Sequence, residues 1–281
     1  MFSIHDEPSI IALFEANGHK KFRYAQVENA IYKNLVTDFD KIETLPKEIR
    51  SLLVENCFYN SLTLHSEKTG DDGQTTKFLF KTHDDKMIEA VIMRHLSGRN
   101  TLCVSCQAGC PMGCTFCATG KLGLLRNLEF HEIIDQVMYA VHHLEKEGKT
   151  LRNVVYMGMG EPLLNYENVK RSIQIACGQK KLDLSNRRIT VSTCGIVPGI
   201  LKMAEDFPQV SLAISLHAPT DEARLLILPV EITYPLDAIM NAPVIRCDVA
   251  PWSLLGISLA GFNFLFSMAG AVLVFAWLGK G

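Results

Sequence analysis

An excess of positive charge is missing from this sequence: 28 Lys and Arg stand against 30 Asp and Glu in 281 residues, a net charge of −2. A protein that grips nucleic acid by neutralising its backbone over a whole surface carries a clear basic excess, so any RNA contact has to come from a local patch. The opening residues, MFSIHDEPSIIALFEANG, lack a basic stretch followed by an apolar core, and no secretory signal is expected. An even spread of cysteines is missing too. Of the nine, at Cys57, Cys103, Cys106, Cys110, Cys114, Cys117, Cys177, Cys194 and Cys247, five fall between Cys103 and Cys117. That distribution excludes a disulfide framework and indicates a metal or redox site in a reducing cytoplasm. Charge is absent altogether from Val249 to Gly279. About 20 consecutive apolar residues suffice to cross a bilayer, so residues 249–279 are expected to form a hydrophobic helix with a membrane association.

With 48% apolar residues the chain can build a sizeable core, as one large domain or two modest ones. Residues 1–60 read as a helical accessory module: Tyr24, Val27, Ile31 and Leu35 recur at helical spacing, and LPKEIRSLLVENC follows with Pro46 near its start. Between Ser61 and Met93, SLTLHSEKTG, TTKFLFKTH and MIEAVIM alternate or run apolar around the turns GDDGQ and HDDK, which predicts a small antiparallel sheet over 61–100. From Thr101 strand and helix alternate. TLCVSC, FHEIIDQVMYAVHHLEKEG, NVVYMGMG, YENVKRSIQIACGQ, RITVSTCG, VPGILKMAEDF and VSLAISLHA give four strands separated by three helices. This order implies parallel strands with right-handed crossovers, an open sheet or partial barrel over 101–240. Chemistry then belongs at the C-terminal strand ends, where CQAGCPMGCTFC, GMGEP, STCG and SLH fall.

Cys110-Pro-Met-Gly-Cys114-Thr-Phe-Cys117 is C-x3-C-x2-C, directly after a predicted strand. Thiolates bind iron–sulfur clusters, and a four-iron cluster normally takes four protein ligands. The motif supplies three and leaves one iron open to a substrate, by the logic that leaves a position free in catalytic zinc sites. Gly109 and Gly113 would let the loop wrap closely round such a group. A structural zinc site with His95 or another residue as fourth ligand is the alternative, although zinc sites usually bring paired C-x2-C or C-x2-C/H-x3-H spacings.

Taken in order, TLCVSCQAGCPMGCTFCATG, GMGEPLLNYENV, STCGIVPGI and SLAISLHAPTDEAR resemble the radical-SAM adenine C2 methyltransferases of 23S ribosomal RNA and transfer RNA, over residues 15–240. The resemblance implies an α/β fold: a partial, truncated radical-SAM (β/α) barrel behind an N-terminal helical and small β accessory domain. It also implies a 4Fe-4S cluster on Cys110, Cys114 and Cys117, with S-adenosyl-L-methionine (SAM) as the second cofactor. The implied partners are 23S rRNA and tRNA as substrates and an electron donor such as flavodoxin or ferredoxin. Gly160 and Glu161 are implied to bind SAM through backbone exposed at a strand end, together with Ser192 and the run Ser215-Leu216-His217. Cys103 matches the cysteine that resolves a covalent RNA–protein intermediate, and Glu89 matches the proton acceptor. Cys106 has no family role. Each of these residues also has a plain structural reading, as a turn glycine, a satisfied polar group, a small buried thiol or a solvated carboxylate. Their order at successive strand ends favours the functional one.

Adenine C2 is electron-poor and the SAM methyl group is itself an electrophile, so polar transfer has no nucleophile. The family is understood to pass the methyl first to a protein cysteine near the C-terminus of its members, and then to add it to C2 as a carbon radical. After LLILPVEITYPLDAIM the expected strands, a SAM-contacting asparagine and that carrier cysteine do not follow. The tail 241–281 instead contains PVIRCDVAPWSLLGISLAGFNFLFS, which resembles the last periplasmic loop and final membrane helix of the disulfide bond formation protein B family. Cys247 belongs to that context and is not assigned the carrier role. A disulfide relay needs paired cysteines, so the tail is not read as an oxidase. A buried core helix is the other reading of the tail. Three functions are thus weighed: an adenine C2 methyltransferase, a SAM-cleaving protein without RNA methylation, and a non-catalytic tail-anchored metal-binding protein.

Overall fold

Proline sets two of the first helix starts. Strand β1 (Phe2–Ser3) leads to helices α1 (Glu7–Ala16), α2 (Arg23–Tyr32) and α3 (Lys47–Asn56), and β2 (Cys57–Phe58) returns to pair with β1 in parallel. Pro8 in the first turn of α1 and Pro46 at the N-cap of α3 hold φ where no helical donor is needed. Ile10, Phe14, Val27, Ile31, Ile49 and Leu53 are buried in this module. Helix α2 stops short of Leu35, which takes φ 50°, so the expected helical run loses its last member. The computed structural model describes residues 1–228 and 234–242, and the backbone of residues 253–254 and 257–258.

Strands β3 (Leu62–Thr69), β4 (Thr75–Thr82) and β5 (Met87–Arg94) form the antiparallel meander expected from the alternation. It is not a separate sheet. Strand β6 (Asn100–Cys103) pairs with β5, Val91 opposite Cys103, and carries the sheet onward. A hairpin follows, β7 (Gln107–Gly109) and β8 (Leu124–Asn127), enclosing the short helix α4 (Ala118–Leu122). Then come α5 (Phe130–Lys146), β9 (Leu151–Tyr156), α6 (Tyr166–Cys177), β10 (Ile189–Thr193), α7 (Val197–Asp206) and β11 (Ser211–Ile214), with α8 (Asp221–Ile227) and α9 (Leu236–Met240) beyond. Strands β6, β9, β10 and β11 are parallel, and the whole sheet runs β11-β10-β9-β6-β5-β4-β3.

Helix α5 covers the junction. Its capping box joins Glu129 and Glu132, and Ile133, Ile134, Val137, Ala140 and Leu144 are buried along it. Phe78 and Phe80 of β4 meet its Tyr139 edge-on, with ring centroids 5.1 and 5.0 Å away. The N-terminal module docks on the same layer through His5 Nε2 and Asp135 Oδ1, 3.0 Å apart, and through Arg171 and Asp6, 2.6 Å apart.

Residues 1–242 make one unit and residues 243–281 another. In the second, β12 (Ser253–Leu254) pairs antiparallel with β13 (Ile257–Ser258). Of the helix expected over 249–279, only these four residues are described, and they are extended. The rest of that run, and Cys247, lie outside the described residues. Among the described residues no helix is long and apolar enough to cross a membrane.

Candidate functional site

Cys110, Cys114 and Cys117 sit in the loop that the β7–β8 hairpin closes. The strands pair Gln107 with Asn127 and Ala108 with Arg126, and Cys110 N donates to Gly123 O at 2.9 Å. Gly109 has φ +78°, and a Cβ there would stand 1.9 Å from Gly123 O, so this closure needs glycine. Cys117 N donates to Cys114 O, and Thr115 N to Ile227 O at the end of α8, each at 3.1 Å. The hairpin is braced from outside by Arg126, which forks to Asp84 (2.7 and 2.9 Å) and to Glu132 (2.7 and 2.8 Å). Glu132 is fully buried, and the Arg126 guanidinium holds the Asp84 carboxyl well below the usual carboxylate range.

The three cysteines line one cavity of about 350 Å³ together with Gly160, Glu161, Ser192, Ser215 and His217. These come from the ends of β9, β10 and β11, where the alternating pattern put them. Gly160 has φ +103°, and a Cβ on it would lie 2.6 Å from the Gln107 side chain. Glu161 is only 4% exposed, and its carboxylate accepts from Leu163 N at 3.1 Å, Cys194 N at 2.9 Å and Cys194 Sγ at 3.1 Å. Ser192 and Ser215 face each other across adjacent strands at 3.2 Å. His217 takes φ +58°, uncommon for a non-glycine residue, and its ring lies 4.6 Å from that of Phe116. Phe116, Met157 and Cys194 also line the cavity and were not singled out in the sequence. For Phe116 the signal was available, an aromatic residue lodged between two cluster cysteines.

Leu216, Glu89 and Cys103 are not in that lining. Leu216 is 38% exposed beside it. Cys103 ends β6, where burial pushes its thiol up and the Met157 N–H beside it works the other way. Glu89 stands two residues from Val91, the partner of Cys103, so alternation puts both on one sheet face. Its carboxylate pairs with Lys77 at 2.5 Å, both side chains well exposed. Cys106 is buried, with its thiol toward Met159 O. His95 is bonded to Thr101 at 3.3 Å and takes no part in the cysteine cavity, which removes it as a fourth zinc ligand. A second cavity, about 330 Å³, lies between the N-terminal module and α5 and holds none of the motif residues.

The donor set suits an iron–sulfur cluster. Burial pushes the Cys110 thiol up to about 11 and raises that of Cys114, and among the described residues no Lys or Arg lines the cavity to draw their protons away. Thiolate formation there therefore waits on a metal, which displaces the protons as it binds. Among the described residues no three His, Cys, Asp or Glu side chains converge on one ion-sized point. A four-iron cluster does not require that, since each thiolate meets a different corner.

Three cysteines at this spacing, facing glycine-rich strand ends across one cavity of a partial βα sheet, define a radical SAM protein. The radical SAM superfamily matches residues 104–242, and the ribosomal RNA large subunit methyltransferase N-terminal domain matches residues 5–58. A dual-specificity RNA methyltransferase RlmN 1 of Myxococcus xanthus is 41% identical over 235 residues, covering 84% of this chain and 65% of that protein. A dual-specificity RNA methyltransferase RlmN of Desulfotalea psychrophila is 44% identical over 243 residues, covering 84% and 66%. The crystal structure of a radical SAM methyltransferase from Sphaerobacter thermophilus superposes with a TM-score of 0.83 at 40% identity, covering 86% of this chain and 71% of that one. The chain belongs to the RlmN family of radical SAM methyltransferases. It spans 65% and 66% of the length of those two curated relatives.

Proposed function

We propose that this chain serves SAM-dependent methylation of adenine C2 in 23S rRNA and tRNA, in the cytoplasm, with a flavodoxin- or ferredoxin-type donor supplying electrons. The observation that carries the reading is the meeting of Cys110, Cys114 and Cys117 with Gly160, Glu161, Ser192, Ser215 and His217 in one cavity. The three cysteines hold a 4Fe-4S cluster and the strand-end groups hold SAM; bound together, they supply one-electron cleavage of SAM and a radical able to abstract hydrogen. The chain's own residues do the rest. Backbone at Gly160 and Glu161 and the hydroxyls of Ser192 and Ser215 would receive polar groups of SAM, with His217 beside them in the same cavity. Cys103 resolves the protein–RNA adduct, and Glu89 takes the proton from C2 on the same face of the sheet.

One observation favours a second reading, SAM cleavage without RNA methylation. Of the non-cluster cysteines, Cys194 lines the cavity but its thiol donates to Glu161, and Cys103 stands outside the lining. A reaction that uses two free thiols therefore draws the methyl carrier from beyond the described residues. Anaerobic reconstitution followed by assay of 5′-deoxyadenosine tests the cavity. Nucleoside mass spectrometry of RNA from a host lacking its own enzyme separates the readings: 2-methyladenosine supports the first, and 5′-deoxyadenosine without it supports the second. Iron-free protein and no SAM cleavage would sink both.

A further inference from the structure

Behind the cavity a series of buried polar groups runs from the cluster hairpin to the last strand. Gln107, 1% exposed, donates through Nε2 to Asn127 Oδ1 at 2.7 Å and accepts on Oε1 from Glu161 N at 2.8 Å. The Glu161 carboxylate accepts from the N–H and the thiol of Cys194. The carbonyl of Cys194 accepts from Arg224 Nη2 at 3.1 Å. Arg224 Nη1 reaches the carbonyls of Ser215, at 3.3 Å, and Leu216. Arg224 is 0% exposed, although it sits on the short helix α8, where a charged residue ordinarily faces water.

This arrangement holds the strand-end loops to one another. A carboxylate clamps the Cys194 N–H and a guanidinium clamps its C=O, so the two peptide groups flanking Cys194 are fixed by opposite charges. Gln107 fixes the loop after β9 to the cluster hairpin, and Arg224 fixes the loop after β11 to the loop after β10. A ligand held by three loops needs them placed to a fraction of an ångström, and buried, mutually satisfied polar groups supply that directionality where apolar packing does not.

We propose that Gln107 and Arg224 are positioning residues for SAM, acting through the Glu161 backbone N–H and the strand-end carbonyls to hold the loops after β9, β10 and β11 in register with the cluster hairpin. The proposal rests on the reading that this cavity binds SAM. Neither residue lines the cavity, so neither touches the ligand.

The test uses the full chain as wild type, Arg224→Met, Arg224→Lys and Gln107→Met. Iron per chain is measured after anaerobic reconstitution, then the SAM concentration that half-saturates the change in the reduced-cluster EPR spectrum, and amide hydrogen exchange of the iron-free chain. Arg224→Met and Gln107→Met are expected to keep wild-type iron and to raise the half-saturating SAM concentration roughly ten- to a hundredfold. Arg224→Lys should recover part of that loss, because an ammonium reaches fewer carbonyls than a planar fork. Faster exchange should appear in loops 157–164, 193–197 and 214–218 and leave β3–β5 unchanged. Wild-type SAM response in both iron-loaded Met variants, or faster exchange spread equally over the sheet, overturns the proposal. If Arg224→Met does not fold, Gln107→Met, which frees the Glu161 N–H at the other end of the same series, decides. Wild-type protein that loads iron but ignores SAM refutes the functional reading, while the exchange pattern still decides whether the loops are held as described.

Discussion

One sheet contains two kinds of order. At its antiparallel end, β4 and β5 bury Phe78, Phe80, Ile88, Ala90 and Ile92, while β3 is exposed after Leu62. The ion pairs there, Lys77 with Glu89 and Lys81 with Asp85, are solvent-exposed. At its parallel end the strands run into loops that bury a set of polar groups, Ser105, Gln107, Glu161, Asn165, Thr193 and Arg224, among their apolar ones. The first end is ordered by area removed from water, which tolerates small displacements; the second is ordered by directed hydrogen bonds, which do not. Substitutions should therefore separate stability from ligand binding according to which end they touch.

The largest separation is expected at the cluster. Cys114→Ala should abolish the SAM-dependent change in the EPR spectrum, yet shift the unfolding free energy of the iron-free chain by less than about 0.5 kcal/mol, read from urea midpoints. Phe78→Ala inverts that pattern. It should cost about 3–5 kcal/mol in urea unfolding and leave SAM affinity of the folded protein unchanged. A large loss of SAM affinity in that variant would show that the two ends are not independent. Arg126→Met probes a side chain that joins them, since its partners are Asp84 in the β4–β5 turn and Glu132 at the start of α5. Leaving Glu132 buried and unpaired should cost about 3 kcal/mol and also loosen the cluster hairpin, so iron uptake and stability should fall together.

The smallest expected effect is a pH dependence at the antiparallel end. Arg94 forks onto Glu147 and holds its carboxyl down to about 2, below its usual value of 4.5. A depressed carboxylate stabilises the folded chain fully above that usual value and ceases to do so as pH falls toward about 2. The pair lies near solvent, so Arg94→Met should cost less than about 1 kcal/mol at about pH 6, shrinking toward nothing near about pH 2. A difference between the two proteins that grows on acidification would contradict this sign.

The parallel strands and the three helices between them were legible because each strand is a short β-rich run and each helix an amphipathic one. The motifs were legible because they fall where such strands end. The β7–β8 hairpin was not: Gln107–Gly109 is three residues with no alternation to read, inside a stretch dominated by glycine and cysteine. The meander was foreseen, but its pairing to β6 was not, since pairing between Val91 and Cys103 leaves no mark in either segment alone. Nor does DEARLLI disclose that its arginine is buried. That follows from three carbonyls brought together by distant loops.

The hairpin that carries the cluster loop has a consequence for assembly and repair. Its strands fix the chain at Gly109 and Leu124, so the closure entropy of the intervening loop is met by backbone pairing before any iron arrives. Small metal domains that fold only on binding draw their folding free energy from the metal, and a chelator unfolds them. Here the sheet and α5 stand on burial that owes nothing to iron. Loading and oxidative loss of the cluster become local events at Cys114 and Cys117, the two half-exposed thiols, with Cys110 held beneath them. On the proposed reading, a chain that has lost its iron would keep its scaffold and could be refilled.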